Sequence, residues 1–123
     1  MEDDTNTYLT DFHVKLIKWL ERRGVGLLEE VEFPPFRVDI YVQAWHAAIE
    51  ADGPNHRERD RMMRDNWLAH TYGLFVWHVN QEDFENQGYR DTQLEAQLMA
   101  FAVNASLTSD ERYELHKDKC PWL

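Results

Sequence analysis

Apolar residues recur at Leu9, Phe12, Leu16 and Leu20 between about Tyr8 and Arg23, the spacing of a helix that buries one face, and Gly24 follows as a stop. Three stretches then change to a shorter period. "LLEEVEF" reads as a first strand, and "FRVDIYV" and "HAAIEAD" alternate with β-branched enrichment, joined through "QAW" as a hairpin. From Pro54 to about Tyr72 the spacing is helical again, with Met63, Trp67 and His70 on one face. Gly73 ends that helix before the apolar run "LFVWHV", a last strand.

A helix between two strands implies a crossover, so the last strand is expected to run parallel to a hairpin strand in a mixed sheet. Beyond it, "TQLE" from Thr92 and "TSDE" from Thr108 match the capping box, each predicting a helix start. The first of these helices buries Leu94, Leu98 and Phe101; the second is short and charged. The predicted order is αβββαβαα, an α/β fold with a mixed four-stranded sheet flanked by helices.

Composition narrows this picture. At 123 residues, 43% hydrophobic and 13% aromatic, the chain suits one domain over 1–123, with a core of about 8–80 and a C-terminal helical extension of about 91–119. The acidic start "MEDDTNTYLTDF" lacks the features of a signal peptide and no window is apolar enough for a membrane span, so a cytoplasmic location is expected. Cys120, the single cysteine, has no disulfide partner within the chain. A net charge of −10 repels nucleic acid on average, so any phosphate-handling surface must be local.

The candidate chemistry lies in the hairpin. Alternation puts Arg37, Asp39 and Tyr41 on one face and Val38, Ile40 and Val42 on the other, with Ala48, Glu50 and Asp52 sharing a face of the next strand. A hairpin symmetric about Ala44 and Trp45 places Asp39 opposite Glu50, and Asp52 one pleat farther. Opposed like charges destabilise a sheet unless a cation compensates, and a hard divalent ion, Mg²⁺ or Mn²⁺, fits an all-oxygen set. Arg37 and Arg64 could instead act as ordinary surface partners of these acids.

The turn at Gly53 and Pro54 can bring His56 over the acids as proton donor, base or ligand. Arg57, Arg61 and Arg64, at i, i+4 and i+7, form a basic stripe suited to phosphates. Asp60 to Arg64 and Arg61 to Asp65 are also at salt-bridge spacing, so a self-paired helix face is the competing reading. A zinc site drawn from His46, His56, His70, His78, His116 and Cys120 lacks dense ligand spacing, and His78, in a strand, is expected to be buried and hydrogen-bonded.

The segments "RVDIYV", "AAIEADGPNH", "RDNWL" and "GLFVWHV" resemble the very-short-patch-repair (Vsr)-like branch of the PD-(D/E)XK nuclease superfamily, which includes certain phage homing endonucleases. The resemblance covers roughly residues 8 to 80. It implies a restriction-endonuclease-like core and metal-dependent cleavage of DNA phosphodiesters. Asp39, Glu50 and Asp52 would then hold Mg²⁺, with His56 beside them and Asp65 orienting His56. A Glu often found in the first helix of such domains is replaced by His13, with Asp11 and Glu21 nearby, and Asp52 stands where the superfamily motif has lysine.

The sequence reading is therefore a small metal-dependent DNA endonuclease or nickase, acting alone, as a homodimer or with a partner protein. The alternative is a nuclease-fold binding module that does not cleave, its carboxylates forming a solvated face.

Overall fold

The computed structural model describes residues 11–54 and 58–123. His56, Arg57 and the predicted helix start at Tyr8 and Leu9 lie outside the described residues. Four strands form one sheet in the order β1 (Leu28–Phe33), β2 (Phe36–Val42), β3 (Ala47–Asp52) and β4 (Phe75–Asn80). β1, β2 and β3 pair antiparallel, and β4 lies parallel to β3 after the crossover helix α2 (Glu58–Tyr72). The mixed sheet expected from the sequence is present.

Each sheet face has its own core. On one side α1 (Asp11–Arg22) buries Phe12, Leu16, Ile17, Trp19 and Leu20 against Ile40, Val42, Ile49 and Val79. Phe84 of α3 (Gln81–Glu85), Leu94 and Leu98 complete this layer, with Phe101 packed at its margin. On the other side Leu68 and Tyr72 of α2 pack with Phe33, Tyr41, Ala48, Leu74 and Cys120. Met63, Trp67 and His70 do share a face of α2, but it is turned to solvent, with Met63 63% and Trp67 47% exposed.

The C-terminal region departs from the sequence reading. After α4 (Gln87–Tyr89) and a π turn over Arg90–Leu94, a single helix, α5, runs from Glu95 to His116. Neither capping box starts a helix. Thr92 lies in the π turn and donates its hydroxyl to Gly88 O at 2.7 Å. Thr108 sits within α5 and accepts from Arg112 Nε at 2.9 Å. Arg112 explains the continuity: its guanidinium donates to the carbonyls of Trp45, His46, Gly73 and Ala105, fastening the second half of α5 to the end of the sheet. Tertiary anchoring overrides the local cap signal. No helix among the described residues is long and apolar enough to cross a membrane.

Candidate active site

The hairpin register is the one the sequence predicts. Ile40 pairs Ile49 and Val42 pairs Ala47, which centres the turn on Ala44 and Trp45 and sets Asp39 opposite Glu50. The regular pairing ends there. Past Ile40 and Ile49 the strands part, and the two carboxylates bridge the opening: Asp39 N–H donates to Glu50 Oε2 at 2.8 Å, and Ala51 N–H donates to Asp39 Oδ2 at 2.9 Å. Backbone donors left over by the splayed ladder are thus satisfied by acidic side chains.

The strict alternation expected for β2 fails at the same point. Ile40 and Val42 belong to the α1-side core, whereas Val38 packs with Tyr41 on the α2 side. β1 carries a matching break, because Glu30, opposite Asp39 in the register, has φ of 55°, the left-handed region that costs a non-glycine residue energy. One irregular residue in each strand keeps the pairing on either side in step. The effect is to move Asp39 out of the sheet's regular face.

Asp39 consequently reaches toward α1. His13, Glu30 and Asp39 each offer a ligand atom within 4.8 Å of the others, and they are the group of this kind found among the described residues. His13 Nε2 and Glu30 Oε2 are 4.0 Å apart. Two donors each about 2.1 Å from a shared octahedral ion stand about 3 to 4.2 Å apart, so this spacing suits a bridging cation. His13 is buried, Glu30 and Asp39 half-buried.

Glu50 and Asp52 face α2 and already have cations beside them. Arg64 donates to Glu50 Oε1 at 2.6 Å and to Arg37 O at 2.6 Å. Arg61 donates to Asp52 Oδ2 at 2.5 Å, and His78 Nδ1 lies 2.9 Å from the same oxygen. His78 Nε2 is 2.6 Å from Asp65. The guanidinium of Arg64 therefore stands beside Glu50 where the sequence reading places an ion. Neither arginine makes the predicted i, i+4 pair, because the buried strand carboxylates are the better partners. Asp65 meets His78, the buried and hydrogen-bonded strand histidine that the sequence predicts.

Burial and the neighbouring Asp39 carboxylate push Glu50 up to about 7, against the pull of Arg64. Burial works against a charged His78, but Asp52 and Asp65 outweigh it and raise the imidazole to about 9, so it is a cation at neutral pH. Elsewhere His46 is fixed between Tyr41 Oη and Tyr72 O, and Cys120 donates to His116 O, which accounts for these two members of the zinc reading.

Sequence reasoning thus brings Asp39 and Glu50 together and leaves open which of His13, Asp11 and Glu21 stands in for a first-helix Glu, but it misses Glu30. The pairing of "LLEEVEF" with "FRVDIYV" would have found it, since Glu30 is opposite Asp39 in that register.

No protein-family model matches the chain, and no curated protein sequence matches it. Among solved structures, the chain is similar to the catalytic domain of the homing endonuclease I-Bth0305I, with a TM-score of 0.60 and 15% identity over 78% of this chain and 97% of that domain. The splayed hairpin and its acids therefore sit on a fold shared with an endonuclease catalytic domain.

Proposed function

We propose that this protein is a small metal-dependent DNA endonuclease or nickase whose centre is Asp39. The observation that supports this best is the convergence of His13, Glu30 and Asp39 where β1, β2 and β3 lose their regular pairing. The shared fold with a homing-endonuclease domain gives that cluster its chemical context. His13, Glu30 and Asp39 would hold the ion, with Glu50 at its edge. The imidazole favours Mn²⁺ over Mg²⁺, which prefers an all-oxygen shell. A bound divalent ion supplies charge neutralisation and polarisation at a scissile phosphate.

The chain's own groups have the complementary roles. The Ala51 N–H fixes the Asp39 carboxylate, and the Glu30 backbone is held in its irregular conformation by the strand pairs on either side. Glu50, poised near neutrality, can take a proton from an attacking water, each of its oxygens retaining a second lone pair. His56 stays a candidate proton carrier on its sequence position. Arg57 keeps its proposed phosphate role; Arg61 and Arg64 would have to exchange carboxylate for phosphate. Asp52 and Asp65 are proposed to hold His78 as a cation beside the site, with metal ligation by Asp52 secondary.

A second reading has its own support. Arg61, Arg64 and His78 already neutralise Glu50 and Asp52, as expected of a nuclease-fold module that binds DNA or protein without cleaving. Thermal unfolding with Mn²⁺ or Mg²⁺ tests both readings. A site with ligand at ten times its Kd gains about 1.4 kcal/mol, a visible rise in Tm that Asp39→Ala and Glu30→Gln should remove. Nicking of supercoiled plasmid by the parent and not by these variants completes the enzyme reading. Absence of both effects selects the module.

A further inference from the structure

A chain with 23 acids and 13 Lys and Arg gathers five of its cations in one groove. Lys15, Lys18 and Arg22 of α1, Arg23 just past it and Arg90 of the π turn wall a space of about 520 Å³, with Asp91 as the acid among them. The buried Trp19 and Phe84 line its inner side. The sequence reading puts the phosphate-handling stripe on α2 instead, but there Arg61 and Arg64 already hold Asp52 and Glu50.

Not all five charges are open. Lys15 lies 3.3 Å from Asp11, Arg23 3.2 Å from Glu95 and Arg90 3.7 Å from Asp91. Lys18 and Arg22 are exposed and make no ion pair among the described residues, and Glu21 beside them does not line the groove. Two positive charges are therefore left for a ligand. With Lys15 they stand at i, i+3 and i+7 on one side of α1, a row about 10 Å long, which exceeds one phosphate and suits a strand that carries several. The row is on the side of α1 away from the buried His13, so it can meet a flank of a substrate and not the scissile phosphate.

We propose that this groove holds the phosphate backbone of DNA beside the cleaved site, with Lys18 and Arg22 as its main contacts. The proposal rests on DNA being the substrate, though not on cleavage. The guanidinium of Arg23 lies over the Trp19 ring, 4.2 Å from its centre, and that of Arg90 over Phe84 at 5.3 Å, which keeps both cations in the groove wall. The indole N–H of Trp19 is buried with no acceptor among the described residues, a lack that a phosphate oxygen on the inner side can fill. Contacts of this kind fix position and carry no sequence information.

Fluorescence anisotropy of a labelled duplex, titrated with the full chain in EDTA, tests this without any cleavage. The expected Kd is about 10 to 100 µM at about 50 mM salt, rising with salt as counterions compete. Lys18→Glu with Arg22→Glu should weaken binding at least tenfold while helical circular dichroism and Tm stay unchanged, because both positions are exposed. Lys18→Gln with Arg22→Gln should lower the log–log salt slope by about 2, and it reads the same surface if the charge reversal misfolds. Lys117→Gln with Lys119→Gln, which removes two cations elsewhere, should change affinity less than about twofold. Binding indifferent to the Lys18 and Arg22 variants, or equally sensitive to the control pair, overturns the proposal even where plasmid nicking still depends on Asp39. Absence of duplex binding by the full chain also overturns it, whether its own Glu2, Asp3 and Asp4 fill the groove or inorganic phosphate alone raises its Tm. Duplex held through Lys18 and Arg22 but never nicked refutes the nuclease reading and supports this surface.

Discussion

Two sets of acids flank the break at Asp39, and they differ in what neutralises them. On the α2 side Glu50 and Asp52 are nearly buried, and each has a guanidinium on it, with His78 as a third cation. On the α1 side Glu30 and Asp39 are half-buried and gather round His13, with the exposed Arg37 near Glu30 at 3.3 Å. The first set is a closed ion-pair network whose charges are matched within the fold. The second has the spacing of metal ligands. The same residue types one strand apart thus differ in their surroundings, guanidinium groups and His78 on the α2 side and the ligand-spaced His13 on the α1 side.

The largest effect should come from Asp39, the member of the α1-side set that also touches Glu50. Asp39→Ala removes one proposed ligand and the acceptor for Ala51 N–H. Metal-dependent plasmid nicking should fall at least 100-fold, equivalent to about 2.7 kcal/mol or more in transition-state stabilisation, measured against Asp52→Asn as a control from the closed side. Equal loss in both variants would erase the distinction between the two sets.

Arg64→Met breaks the closed set. It strands Glu50, whose side chain is 6% exposed, and should cost about 3 to 5 kcal/mol at pH 8 by urea unfolding. At pH 5, where Glu50 can take a proton, the cost should shrink. If Mn²⁺ restores part of the pH 8 stability of Arg64→Met, the ion can reach Glu50 once the guanidinium is gone.

The parent's pH profile has a defined sign. Glu50, raised to about 7, contributes stability that is full below its unfolded value near 4.5 and lost as pH rises through 7. His78, raised to about 9, contributes stability that is full below about 6.5 and lost as pH rises through 9. Both act in one direction, so stability without metal should decline by on the order of 6 kcal/mol from pH 5 to pH 9. Divalent metal should flatten the Glu50 part, since a nearby cation favours its ionised form. A profile that instead rises across this range would show that the burial of Glu50 and the His78 contacts do not govern the titration.

Much of this arrangement is legible in the sequence because it rests on local periodicity. The hairpin centre, and with it Asp39 facing Glu50, follows from two alternating runs and a short connection. The site's finer geometry does not, since it depends on an exception to that rule: the left-handed Glu30 turns Asp39 away from the face that alternation assigns. Partner choice was equally hidden. Arg61 and Arg64 have acids at i+4 spacing, but deeper burial of Glu50 and Asp52 makes the cross-element pairs stronger than helix-surface ones. The capping motif at Thr108 fails for a related reason, as Arg112 anchors the helix through the carbonyls of distant residues.

The smallest change gives the sharpest view of the α1-side set. Arg37 is more than half exposed and pairs with Glu30 at 3.3 Å and Glu32 at 3.7 Å, so Arg37→Ala should alter stability by less than about 1 kcal/mol. The same substitution removes the cation that competes with an incoming ion for Glu30. Mn²⁺ affinity, followed by thermal shift across a titration, should therefore rise about two- to fivefold, equivalent to about 0.4 to 1 kcal/mol. Weaker binding would mean that Arg37 orients Glu30 for the ion rather than competing with it. No change in a variant whose parent binds Mn²⁺ would place the ion away from Glu30, and the line between the two sets would have to be redrawn on the Glu50 side of Asp39.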